Sequence, residues 1–183
     1  MAAYIRKVIK SKWDWRVPLD PDLPPGELGT DGITNCCRTH QNTLSIWKID
    51  SEELSSDDDK KIIATLATNC SSPSFVDYVI ISDEELAECD VQVRQVDGDS
   101  IIPDIVSKHY DIFDLKANSL ASLAKLINKK VSGVRNEEGQ VVGAELQRID
   151  LQTVRQCIVS SIPLDSDIYH QLMLKAEFAK VYL

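Results

Sequence analysis

The segment Leu44-Ser45-Ile46-Trp47-Lys48-Ile49, joined by residues 50–74 to Phe75-Val76-Asp77-Tyr78-Val79-Ile80-Ile81, decides the fold. Both ends are rich in β-branched and aromatic residues, and the first puts apolar groups on both faces of an extended chain, as buried strands do. Between them, Ser55-Ser56-Asp57-Asp58-Asp59 supplies cap candidates and three acids for a first helical turn, where they complement the positive end of the helix dipole. Ile62, Ile63, Leu66, Ala67 and Cys70 then recur at helical spacing until Ser71-Ser72-Pro73 ends the run. Strand, helix and strand with a connection of this length predict a βαβ unit with a parallel, right-handed strand pair; antiparallel pairing is the competing arrangement.

Outward from this unit, residues 83–88 read as a short helical turn and 91–96 as a half-exposed strand. Residues 101–110 read as a short helix from Pro103, and 118–130 as a helix capped by Asn118 or Ser119. Residues 131–134 and 140–146 flank a hairpin turn at 136–139, and helices over 151–161 and 166–181 close the chain. Toward the N-terminus, 3–10 is a weakly alternating candidate edge strand. Pro18, Pro21, Pro24, Pro25, Gly26, Gly29 and Gly32 make 17–32 a surface loop or linker, with no helix or central strand.

The expected fold is therefore α/β or α+β: a small mixed sheet with one βαβ unit, helices packed on it, and a largely helical C-terminal third. It reads as one domain over 1–183, with a basic aromatic arm (1–16), a Pro/Gly-rich loop (17–43), an acidic α/β core (44–115) and a mainly helical part with a hairpin (116–183). An apolar content of 43% with 27% charged residues suits a globular chain. The longest uncharged stretch, 62–76, is interrupted by polar residues and falls short of the roughly 18–20 apolar residues of a membrane span. Five cysteines at irregular spacing, with no secretory signal pattern, point to reduced thiols and a cytoplasmic location.

Charge is unevenly distributed: residues 1–16 carry +4, 17–116 carry −14 and 117–183 carry +1. An acidic block of this size suits a protein that covers a basic protein target, such as an inhibitor or immunity-type partner, or an accessory subunit of a larger assembly. The expected contacts are the acids Asp57, Asp58, Asp59, Asp83, Glu84 and Glu85, with Trp13 and Trp15 as interface anchors. The same block argues against nucleic acid, although the arm's basic and aromatic residues form the competing nucleic-acid reading. No membrane partner and no cofactor are expected, and a homo-oligomer is compatible with the sequence.

Three catalytic readings compete with binding. Carboxylates at the strand ends, Asp50, Asp83 and Glu84, have the chemistry to hold a divalent metal for hydrolase or nuclease work, although no Gly-rich phosphate loop follows either strand. Cys36, Cys37 and His40 have the donor types of a zinc site, short of a complete ligand set. A thiol nucleophile at Cys36 or Cys37 requires His40 or His109 to lie against it.

Overall fold

The computed structural model describes residues 2–13, 28, 30–37, 39–69, 74–98, 100–175 and 178. Its strands are β1 (Ala3–Val8), β2 (Leu44–Ile49), β3 (Val76–Ser82), β4 (Gln92–Gln95), β5 (His109–Phe113), β6 (Val134–Arg135), β7 (Val141–Val142) and β8 (Gln147–Ile149). Its helices are α1 (Thr30–Cys36), α2 (Asp57–Thr68), α3 (Asp83–Glu88), α4 (Ala117–Ser132), α5 (Leu151–Ser161) and α6 (Asp167–Met173), with 3-10 turns at Lys10–Lys12 and Pro103–Lys108. The fold is mixed α/β: a six-stranded sheet in the order β4-β5-β2-β1-β3-β8, a separate β6-β7 ribbon, and a helical C-terminal part.

The strand–helix–strand order from β2 through α2 to β3 is present, but the expected parallel pair is not. β1 lies between the two strands and is antiparallel to both, with Ala3 opposite Ile49 on one side and Ser82 on the other. β2 and β3 therefore run in one direction without touching, a split βαβ unit, and every pairing in the sheet is antiparallel.

Residues 3–8 are thus an interior strand and not the edge of a free arm. The charges that suggested an edge have specific uses. Arg6 donates to Ser45 O at 2.5 Å and to Cys36 O at 2.6 Å, while Lys7 donates to Leu66 O at 3.0 Å. Each cation meets carbonyls in the last turn of a helix, α1 for Arg6 and α2 for Lys7, where the dipole is negative. Arg6 also fills the gap where β1 and β2 part after the Ile5–Trp47 pair.

Alternation along the strands feeds two cores. Ile5, Trp47, Ile49, Val76 and Tyr78 meet Ile62, Ile63 and Leu66 of α2 and Val154 and Ile158 of α5. On the other face, Tyr4, Val8, Leu44, Ile46, Val79 and Ile81 meet Leu123, Ile127 and Val131 of α4, with Cys36 from α1. Each such side chain contributes about 1.5–3 kcal/mol when fully buried, so a sheet covered on both sides explains why β2 and β3 lack a polar face.

α5 begins and ends as expected, with Asp150 as its N-cap. Other assignments change: α4 has Lys116 as its N-cap in place of the expected Asn118 or Ser119, and it runs on through Ser132 into the expected strand at 131–134. His109 and Tyr110 leave the expected helix to begin β5, which pairs with β2 over Leu44–Trp47. Gly32 sits inside α1, so the 17–32 loop ends sooner than its glycines suggested. The other residues of 17–32, apart from 28, 30 and 31, lie outside the described residues; α6 ends at Met173, short of the helix expected over 166–181, of which 176, 177 and 179–181 lie outside the described residues.

Candidate binding surface at the acidic end of the sheet

Because β1 runs against both neighbours, the C-terminal ends of β2 and β3 emerge together on either side of Ala3. Each is followed by a helix that starts with a reciprocal cap. In α2, Ser56 Oγ accepts from Asp59 N at 3.0 Å, and Asp59 accepts from Ser56 N at 3.2 Å and from Asp50 N at 3.1 Å. In α3, Ser82 Oγ accepts from Glu85 N at 3.3 Å and Glu85 accepts from Ser82 N at 2.9 Å. Ser-x-x-acid caps satisfy otherwise orphaned backbone donors and bring acids into the first turn. Local helix chemistry therefore generates the acidic end.

The acids divide by role. Asp59 is fully buried and serves as a cap, which corrects its expected place on a binding surface. Asp57 is exposed and pairs with Lys60 at 2.8 Å, while Asp58 lies 3.5 Å from Lys108 and 3.9 Å from Lys61. Asp83 is exposed and accepts from Ala2 N at 3.1 Å. Glu52, Glu53 and Glu84 are exposed and make no ion pair among the described residues.

The strand-end carboxylates do not assemble the expected metal site: no group of three or more metal-ligating side chains exists among the described residues. Asp50 instead accepts from Lys108 at 2.5 Å and from Ser56 Oγ at 3.1 Å. The Lys108 hydrogen bond holds the Asp50 carboxyl below its ordinary pKa and raises that of the Lys108 ammonium.

A cavity of about 630 Å³ opens beside this end, lined by Glu52, Ser82, Glu85, Lys130, Glu145 and Gln147 among others. Lys130 is only 5% exposed, and its ammonium lies 2.7 Å from Glu85 and 2.5 Å from Glu145. Burial works to lower its pKa, but the hydrogen bonds to Glu145 and Glu85 outweigh that and hold it above the ordinary value. The lining thus holds three carboxylates, two of them paired to one ammonium, and keeps an excess of negative charge. Sequence reasoning missed this grouping, because Lys130 is one of two adjacent lysines ending a helix and Glu145 follows an intervening ribbon.

Trp13 does not anchor a surface. It is 2% exposed and lies against Gly32, where a Cβ would come within 2.6 Å of its ring. Trp15 lies outside the described residues.

The thiol and zinc readings also lack their geometry. Cys36 and Cys37 are buried, Cys36 Sγ accepts from Ile9 N at 3.1 Å, and burial pushes the Cys37 thiol up to about 12. A neutral, buried thiol is a poor nucleophile. His40 is exposed and bridges Thr43 through backbone bonds, while His109 lies 3.9 Å from Asp111. Asp111 also accepts from Ser45 Oγ at 3.3 Å. No helix of the described residues is long and apolar enough to cross a membrane. The chain matches no family model, no curated protein and no solved structure.

Proposed function

We propose that this protein is a non-catalytic binding module whose acidic sheet end engages a basic protein, in the manner of an inhibitor, an immunity-type partner or an accessory subunit. The observation that carries this reading is the adjacency of exposed, ion-pair-free carboxylates at the ends of β2 and β3 to a cavity lined by Glu52, Glu85 and Glu145. A lysine or arginine side chain from a partner meets carboxylates there that are already held in place by caps and by Lys130. Charges arranged this way favour fast, selective encounter with a positive surface.

The test is affinity capture from the source cells at low salt, using the wild type, a Glu52→Lys/Glu84→Lys variant and a Glu137→Lys/Glu138→Lys control. The control reverses two exposed acids in the turn of the β6-β7 ribbon. A stoichiometric basic partner held by wild type and control but lost by the first variant supports the reading. Equal capture by all three contradicts it.

A further inference from the structure

At the opposite end of β3, Arg148 of β8 stands directly across from Asp77. Asp77 is 5% exposed, and both its carboxylate oxygens are occupied by Arg148: Nε donates to Oδ1 at 2.6 Å and Nη2 to Oδ2 at 2.9 Å. The guanidinium carbon also lies 3.7 Å from the centroid of the Phe75 ring, and that residue remains 47% exposed. A guanidinium has five N–H donors, and the inner fork uses two of them, leaving three on the outer edge. The Arg148 side chain is 49% exposed, so solvent reaches that edge. A buried carboxylate on one side and an aromatic ring beneath hold the group in one orientation, which lowers the ordering cost of binding.

This arginine and its ring line a cleft of about 510 Å³, shared with Ile9, Lys7 and Lys10. The lining holds Arg148, Lys7 and Lys10 against one carboxylate, Asp77, in a chain whose net charge is −9, with the Lys7 ammonium held at Leu66 O. Ile9, 46% exposed, adds apolar surface beside Phe75. We propose that this cleft binds a small ligand consisting of an oxyanion, carboxylate or phosphate, joined to a flat apolar group. The oxyanion takes the outer edge of the Arg148 fork, and the flat group lies along the exposed part of Phe75 and Ile9. The acidic end of the sheet plays no part, so the two sites stand or fall separately.

The test is calorimetric titration of the full chain with phenyl phosphate, benzoate, inorganic phosphate and, as the cationic control, benzylamine. Saturable 1:1 binding of phenyl phosphate or benzoate at or below about 1 mM, at least tenfold tighter than benzylamine, is the expected result. Preference between the two anions identifies the oxyanion, and inorganic phosphate reports the share of the apolar group. Arg148→Lys keeps the charge but loses the fork, and Phe75→Leu keeps apolar bulk but loses the ring. Each is expected to weaken binding at least fivefold while Glu137→Lys leaves it unchanged, and two variants at separate positions guard against one failing to fold. No saturable binding of either aryl anion, or equal affinity in Arg148→Lys and wild type, overturns the proposal.

Discussion

Placing a methyl group on Gly32 separates the interior role of the N-terminal segment from a free-arm role. Gly32 lies inside α1, where replacing glycine by alanine ordinarily favours a helix by up to about 1 kcal/mol. Here the added Cβ falls 2.6 Å from Cε3 and 2.8 Å from Cδ2 of the buried Trp13 ring, closer than real Cβ contacts come, and 3.0 Å from Cζ3. Overpacking of this kind costs about 1–3 kcal/mol, so against the helix gain Gly32→Ala should destabilise the protein by about 0–2 kcal/mol net. In a Trp13→Leu background the obstruction is gone, and the same substitution should become neutral or stabilising. Urea unfolding of the four proteins of this cycle gives the coupling directly, with the midpoint carrying the change while the slope stays constant. If Gly32→Ala has the same effect in the wild-type and Trp13→Leu backgrounds, Trp13 is not packed against α1 and the N-terminal segment is an arm after all.

Four further outcomes follow from individual contacts. Ser56→Ala and Ser82→Ala should each cost about 1 kcal/mol as lost caps, whereas Asp59→Ala should cost about 2–3 kcal/mol because two backbone donors lose a buried acceptor; urea unfolding measures both. The Asp50 pKa is held down by Lys108, so that pair's stabilisation is complete above the ordinary carboxyl value of 3.8 and lost as pH falls through the folded value; Asp50→Asn should flatten the acid limb of a stability–pH curve. Lys130 is shifted upward, so its contribution is complete below 10.5 and lost as pH rises through the folded value, and Lys130→Met should remove that alkaline loss. With its thiol pushed to about 12, Cys37 should resist iodoacetamide at pH 7.5 in the native protein and react in urea, as read by peptide mass mapping.

Much of the architecture is legible in local patterns. The runs at β2 and β3 are continuous because both sheet faces are covered, and the caps at Ser56 and Asp150 announce α2 and α5. Pairing order is not legible in the same way. In its place between β2 and β3, β1 carries Arg6 and Lys7 to helix C-termini far along the chain, where the sequence shows only two charges in a weak strand. β5 was hidden because it follows the Pro103–Lys108 turn with no glycine or proline between them. At the candidate site, the convergence of the strand-end acids was readable from the strand–helix–strand order, since the two strands share a direction even though they do not touch. The division into capping and exposed acids needed the side-chain geometry, as did the meeting of Lys130 with Glu85 and Glu145.

The most direct measurement is the affinity for the captured basic partner as a function of salt, for wild type and for Glu52→Lys/Glu84→Lys. Exposed charges are screened beyond about 10 Å at 0.1 M salt, so an acidic binding surface predicts wild-type affinity that falls steeply between about 50 and 500 mM, with the variant weak throughout. Affinity that is flat across that range and equal in the two proteins would show that the acidic end is not where the partner binds.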